Sequence, residues 1–239
     1  MMRIRICGKS RTVLLTEDPE KIADRETLSN YLETLPNCIY EAGDENVDGF
    51  GNYYYNVKDE NGKVLTSLIM MDSHSYDEEN EGYDHFHDNQ VEWYENTVKS
   101  IAKEVNGDES KVVPSLAFLH APMKEYMTGY EEAQGTDNRI WGYAFPNEDG
   151  TPAVDDMMFE KMLELGSTKG CFAGHDHMNN FSVMKDGIRL TYGLSDDHNI
   201  YVVPFRGGVF INIKDDGSVT TQHLIRHRGQ STVTIGKEQ

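Results

Sequence analysis

Cysteine is scarce in this chain of 239 residues, which contains only Cys7, Cys38 and Cys171. Their odd number and wide separation argue against a disulfide framework. Cys171 lies in an apolar run, where a thiol is most simply a small buried hydrophobic group. The fold must therefore depend on a packed core, for which 38% hydrophobic and 10% aromatic residues are sufficient.

Long hydrophobic runs are also missing. No stretch reaches the ~18 apolar residues of a membrane-spanning helix, so we expect no membrane span. The N-terminus lacks the apolar core of a signal peptide, which makes the cytoplasm the default expectation for this chain.

Basic residues are outnumbered, since 22 Lys and Arg stand against 41 Asp and Glu, giving a net charge of −19. Such a surface repels the phosphate backbone of nucleic acids, and no basic stripe with interleaved aromatic residues offsets it. We therefore expect no nucleic-acid partner. A phosphoester substrate would need local compensation, which bound divalent cations can supply.

The most informative segment present is Gly170–His177, with the sequence GCFAGHDH. Its apolar residues predict the end of a buried strand, and Gly174 allows a sharp turn close to an ion. Alternate residues of a nearly extended loop point the same way, so His175 and His177 can converge on one metal or a metal pair. A surface loop that happens to hold two histidines is the alternative.

Val112–Leu119 is a second apolar run of strand length, and His120 follows it directly. A histidine at the C-terminal end of a buried strand lies where α/β proteins place ligand and catalytic groups. A hydrogen-bonded structural histidine is the alternative at this position. The coincidence of two such strand ends favours a metal centre.

Five segments follow one another within roughly residues 20 to 215: Leu35–Cys38 (LPNC), Asp88–Tyr94 (DNQVEWY), Phe118–Tyr126 (FLHAPMKEY), Ala173–Phe181 (AGHDHMNNF) and Arg206–Val209 (RGGV). In this ordered set the chain resembles the calcineurin-like metallophosphoesterases, in particular their purple-acid-phosphatase-like branch. The resemblance implies an α/β fold, part of an αββα sandwich in which helices flank mixed sheets. It also implies a phosphoester substrate.

The family carries five metal-site motifs, and only the last two, a lone His and G-H-x-H, occur here. The early motifs D-x-H, G-D-x-x-D and G-N-H-[DE] are absent, so the N-terminal strands of the fold are expected to be missing. By the resemblance, His120 and His175 would serve one metal and His177 the other. The bridging aspartate, the asparagine ligand and the acid-assisting histidine have no counterpart. A metal pair of Mn, Fe or Zn would therefore be incompletely coordinated.

Two early segments look like the missing motifs. Ser67–His74 is an apolar strand ending in D-x-H, at Asp72 and His74, but neither of the next two motifs lies between it and His120. Gly43–Asp48 has one residue too many between its aspartates and no apolar strand before it. We interpret the first as a later strand that binds no metal and the second as an acidic loop.

A second H-x-H, formed by His85 and His87, lies in the acidic stretch Asp77–Asp88. No apolar strand leads into it. We interpret the stretch as a solvated loop rather than a metal site.

Residues 1–16 differ from the remainder of the chain, because four basic residues and no acidic one occur in Met1–Leu15. This predicts a non-native or out-of-frame N-terminus, with a short basic strand as the alternative. Residues 17–228 are then expected to be the C-terminal part of a phosphoesterase domain, and 229–239 a frayed tail.

Hydrophobic periodicity predicts alternating helices and strands. The predicted helices are Arg25–Leu35, Asp88–Val105 and Asp155–Leu165, and the further strands are Tyr53–Val57, Val64–Met71, Phe181–Met184, Ile188–Tyr192 and Val209–Ile213. Glu125–Val154 is predicted as a long polar loop that shapes substrate access.

These observations lead to one hypothesis and two alternatives. The hypothesis is a metal-dependent hydrolase of phosphomonoesters or phosphodiesters that uses a two-metal-activated hydroxide and is inactive or weak in this form. The first alternative is a non-catalytic binding or interaction module that keeps half of the phosphoesterase fold. If the chain is instead a truncated fragment, its missing sheet partners would favour self-association. The second is a metal-binding protein that uses His120, His175 and His177 alone.

Overall fold

The structure is a computed structural model that describes residues 24–77, 79, 82–195, 206–225 and 233–235. The prediction for residues 1–16 lies outside the described residues. Within 229–239 only the backbone of residues 233–235 is described, and it forms a strand.

Among the described residues, helices and strands alternate as predicted only in the middle of the chain, whereas runs of four and six strands lie before and after it. In chain order they are α1 Arg25–Glu33, β1 Tyr53–Lys58, β2 Val64–Met70, β3 Tyr76–Asp77, β4 Gly82–Tyr83, α2 Asp88–Asn106, β5 Ser115–Phe118, α3 Glu125–Glu132, β6 Arg139–Trp141, α4 Met158–Leu165, β7 Thr168–Ala173, β8 Ser182–Lys185, β9 Ile188–Tyr192, β10 Gly207–Ile213, β11 Val219–Ile225 and β12 Val233–Ile235. None of the described helices is long and apolar enough to cross a membrane.

A seven-stranded mixed sheet, in the order β1-β2-β5-β7-β9-β8-β6, forms the centre of the fold. Its four middle strands, β2, β5, β7 and β9, are mutually parallel. The outer strands β1, β8 and β6 pair antiparallel with their neighbours. Because the carboxyl ends of parallel strands meet at one edge, the segments after β2, β5 and β7 come together there.

The central sheet is buried on both faces, which explains the continuous apolar runs of its middle strands. Neighbouring residues alternate between two clusters. Ala117 and Cys171 pack on the side of helices α2, α3 and α4. Leu116 and Phe172 pack on the opposite side with Ile211, from the small sheet β10-β11-β12. The predicted α/β class with helices flanking mixed sheets is confirmed.

The segment Glu125–Val154 is not the long irregular loop that its composition predicts, since it contains α3 and the edge strand β6. Tyr126 of α3 is fully buried and anchors the helix in the core. Gly129 weakens the helical pattern of the sequence, and in the structure it packs closely against two side chains. An added Cβ would lie 3.1 Å from the Lys185 side chain and 3.5 Å from that of Leu190.

Glu125, at the start of α3, gives a pH-dependent prediction. Burial raises its pKa to about 7, and the nearby carboxylates of Asp156 and Glu160 add to the shift. Because the pKa of Glu125 is higher in the folded than in the unfolded chain, its contribution to the free energy of unfolding is complete below the pKa of the unfolded chain. That contribution is lost as the pH rises through about 7. At pH 8.5 we expect the free energy of unfolding of Glu125→Gln to exceed that of the parent chain by about 1 kcal/mol, a value reduced for the partial exposure of Glu125. At pH 4 we expect the two free energies to be equal.

Urea unfolding at the two pH values measures this difference. Glu131→Gln is the matched control, because Glu131 is exposed on the same helix. The prediction is contradicted when both variants follow the same pH dependence.

Candidate metal centre

His120 and His175 lie side by side at the carboxyl edge of the central sheet. Each follows its strand after one intervening residue, His120 after β5 and His175 after β7. The two strands are parallel neighbours in which Phe118 lies opposite Phe172. In this register Gly174 lies opposite His120, and His175 is one residue further along. The turn at His175 brings its ring back, so that Nε2 of His120 lies 3.4 Å from Nδ1 of His175.

The sequence predicted a nearly extended loop after β7. In the structure this loop instead turns sharply at His175. His175 has a positive φ of 65°, and the Asp176 N–H donates to the Gly174 carbonyl at 2.8 Å. This is the geometry of a γ-turn, which is rare and strained. The turn points His175 toward His120. His175 and His177 are therefore not related by the alternation of an extended strand, on which the sequence prediction relied.

Asp176 anchors this loop from inside the protein. Its buried carboxylate accepts hydrogen bonds from the Tyr192 hydroxyl at 2.6 Å, the Asn179 amide at 3.1 Å and the Gly150 N–H at 3.2 Å. Three donors fix the carboxylate, so the residues on either side of it have little freedom. Asp176 therefore positions the two histidines rather than serving as a ligand.

His177 is close enough to lower the pKa of both other histidines. Among the described residues, however, the three histidines do not form a group whose possible ligand atoms all lie within 4.8 Å of one another. The structure thus brings His120 and His175 into contact and leaves His177 as a neighbour of the pair.

Both paired imidazoles are held in their neutral form. Burial, together with the positive charge that His175 and His177 can carry, lowers the pKa of His120 to about 4. Burial likewise lowers the pKa of His175, although Asp176 opposes the shift. Neutral imidazole has a lone pair, which is the form that binds a metal ion.

The ring of His175 is confined on two sides. The Tyr83 ring meets it edge to face, with centroids 4.4 Å apart. On another side lies the backbone of Gly150, from the segment between β6 and α4. A Cβ at Gly150 would lie 2.2 Å from Cδ2 of His175, so only glycine allows this approach.

Asp72, after β2, is occupied by structural contacts. Its carboxylate, 2% exposed, pairs with the Arg25 guanidinium and accepts the N–H groups of Phe50 at 2.7 Å and His74 at 3.0 Å. These contacts support the interpretation that this D-x-H strand is not the first motif of the family.

The stretch Asp77–Asp88 is not a fully solvated loop. Phe86 is only 4% exposed, and the Tyr83 ring contacts that of His175 at the carboxyl edge of the sheet. It places possible metal ligands together in two groups, each with its ligand atoms within 4.8 Å of one another: His74, Asp84 and His87, and Asp77, Asp84 and His85. In the sequence, the run Asp84-His85-Phe86-His87 indicates possible metal ligands. His74, which joins Asp84 and His87 in the first group, lies ten residues before Asp84.

No model of a known protein family matches the chain. Two curated proteins of Arabidopsis thaliana are similar to it. The probable inactive purple acid phosphatase 14 is 30% identical over 75% of this chain and 47% of its own length. The probable inactive purple acid phosphatase 29 is 28% identical over 79% of this chain and 51% of its own. The chain thus spans about half the length of the curated relatives it matches.

Among solved structures, a dimetal phosphatase from Danio rerio aligns with 78% of this chain and 58% of its own, at a TM-score of 0.40 and 12% identity. The matches to the two plant proteins cover most of the chain, in agreement with the ordered motifs around His120 and His175. The chain is therefore similar over most of its length to proteins of the purple-acid-phosphatase type, the branch that its ordered motifs indicate.

Proposed function

We propose that this chain is a metal-binding phosphoesterase domain in which His120 and His175 bind one divalent cation and His177 approaches a second. The observation that carries the proposal is the 3.4 Å between Nε2 of His120 and Nδ1 of His175. Two nitrogen ligands of a tetrahedral ion with bonds of about 2.0–2.1 Å are separated by about 3.3–3.4 Å. The donor pair therefore fits an ion of the zinc class.

The residues around the pair support the same role. Neutral imidazoles need no deprotonation before they bind a cation. Asp176 and Gly150 fix the loop that carries His175, and the Tyr83 ring limits its rotation. A bound cation would supply Lewis-acid polarisation of a phosphoryl oxygen and a more acidic water. It would also offset the negative charge of the protein for a phosphoester ligand.

We further propose that phosphoester turnover by this chain is slow or absent. Among the described residues, no carboxylate completes a compact three-ligand group with His120 and His175. A sphere built from few protein ligands holds its ion weakly and leaves the attacking water poorly positioned. The names of both plant relatives also describe them as inactive. The chain would then bind metal and phosphoester without efficient hydrolysis.

Zinc binding by the full chain tests this proposal, together with hydrolysis of p-nitrophenyl phosphate. We expect His120→Ala and His175→Ala each to remove one zinc equivalent or weaken it at least about tenfold, because each removes a direct ligand. His223→Gln is the control. It removes a buried imidazole elsewhere and keeps a donor for the Tyr192 carbonyl, which His223 contacts at 2.8 Å.

Unchanged zinc stoichiometry and affinity in both alanine variants would contradict the metal site. Efficient hydrolysis that depends on His175 would contradict the proposal of slow turnover while leaving the metal site intact.

A further inference from the structure

We propose that His74, Asp84 and His87 bind a further divalent ion of the zinc class, at a site separate from His120, His175 and His177. The ligand atoms of these three residues come from the loop after β2 and from the segment that precedes α2, and all lie within 4.8 Å of one another. The rings of His74 and His87 are stacked, with centroids 4.5 Å apart, so the two residues are in contact and one ring must rotate for both to bind the same ion. Two imidazoles and one carboxylate form a donor set that suits zinc or iron.

The hydrogen bonds of Gln90 determine which nitrogen of His74 is available. The Gln90 amide nitrogen donates to the Asp72 carbonyl at 2.7 Å and to Oδ1 of Asn52 at 3.2 Å. Asn52 is itself oriented by backbone groups, since it accepts the Asp72 N–H and donates to the Asp48 carbonyl.

The Gln90 carbonyl oxygen must therefore face His74, where it lies 2.7 Å from Nε2. An oxygen can only accept, so Nε2 of His74 carries the hydrogen and Nδ1 keeps its lone pair. This is the tautomer that a metal-binding histidine needs.

His87 is oriented in the same manner. Its Nδ1 lies 2.6 Å from a carboxylate oxygen of Asp48, and its Nε2 lies 3.2 Å from Oδ1 of Asp84. A histidine ligand commonly donates its outer N–H to a carboxylate, which fixes the ring and leaves the other nitrogen for the ion. Asp48 thus fixes the ring of His87 in the same way as Gln90 fixes the ring of His74.

Distances around Asp84 agree with ligands that share one ion. The 3.2 Å between Nε2 of His87 and Oδ1 of Asp84 is close to the ~3.3 Å expected between neighbouring ligands of tetrahedral zinc. Nδ1 of His85 lies 3.3 Å from the same oxygen. That nitrogen is buried and forms no hydrogen bond within the described part of the chain, and it belongs to the neighbouring group with Asp77 and Asp84.

The competing arrangement is an ion pair without metal, in which a protonated His87 bridges the carboxylates of Asp48 and Asp84. It needs no contribution from His74. The dependence of metal binding on His74 therefore separates the two arrangements.

Zinc uptake at pH 7.5 tests the proposal in the full chain carrying His120→Ala, His175→Ala and His177→Ala, which removes the other candidate site. We expect this chain to bind one zinc equivalent. Adding His74→Asn or His87→Asn should weaken that equivalent at least about tenfold. Asparagine tolerates the positive φ of 58° at His74 and can replace His87 as the N-cap of α2.

Thermal unfolding with and without zinc verifies that each variant folds. Absence of the zinc equivalent in the folded triple variant would overturn the proposal, and so would an equivalent that neither asparagine variant weakens. If the parent chain binds two zinc equivalents and the triple variant binds none, the His74 site is contradicted. The proposed site at His120 and His175 would then remain.

Discussion

Arg25→Ala is expected to lower the free energy of unfolding by about 3 kcal/mol, because it leaves the Asp72 carboxylate buried without its cationic partner. The Asp72 side chain is 2% exposed and that of Arg25 18% exposed. The N–H groups of Phe50 and His74 still bond the carboxylate, which limits the loss to the lower part of the range for buried pairs.

The loss should extend to the metal centre, because Asp72 begins the turn that supports His120. Ser73, the next residue, contacts the backbone N–H groups of His120 at 3.2 Å and Ala121 at 2.8 Å through its hydroxyl. Loosening of Asp72 therefore disturbs the backbone of the first predicted ligand.

Urea unfolding at neutral pH measures the effect. Lys103→Ala is the matched control, since it breaks an exposed ion pair with Glu109 and should lower the free energy of unfolding far less than Arg25→Ala does. Equal destabilisation by the two substitutions would mean that the Arg25–Asp72 pair contributes no more than a surface pair.

Gly150→Ala is expected to weaken zinc binding at the His120–His175 pair by about 10–100-fold, the range for loss of a group that orients a ligand. The new Cβ would lie 2.2 Å from Cδ2 of His175 and 2.7 Å from Oδ1 of Asp176. The imidazole must move, or the loop must withdraw and break its hydrogen bond to Asp176. Either change separates His175 from His120.

Gly208→Ala provides the control, because a Cβ at Gly208 meets nothing within 4 Å. Zinc titration of both variants, with the melting temperature measured alongside, separates a local effect from unfolding. Equal zinc affinity in the two folded variants would show that the close approach of Gly150 does not position His175.

The sequence predicted the parts of the fold whose pattern is local. The apolar stripe of α2 gave a helix over Asp88–Val105, and the structure has it over Asp88–Asn106. The middle strands were found because burial on both faces makes them continuously apolar. Helix α3 was missed because Gly129 and its polar neighbours lower the helical signal, whereas packing against β8 and β9 supplies the stability.

The residues of the candidate site likewise fall into those that the sequence could predict and those that only the structure brings together. His120 and His175 could be found in the sequence, because each follows an apolar strand after one intervening residue. The cluster around Asp84 could not, since it depends on the segment before α2 folding back toward His74. The turn at His175 also escaped prediction, because contacts with Asp176, Gly150 and Tyr83 impose its positive φ.

The sequence by itself determined the α/β class, the two histidine-bearing strand ends and the resemblance to metallophosphoesterases. Each of these is encoded in short runs of neighbouring residues. The tertiary structure alone decided that β5 and β7 are parallel neighbours, that His177 lies near the pair without forming a compact ligand group with it, and that a second set of donors lies at the same edge. Those outcomes depend on strand order and on contacts between residues distant in sequence, which local periodicity does not specify.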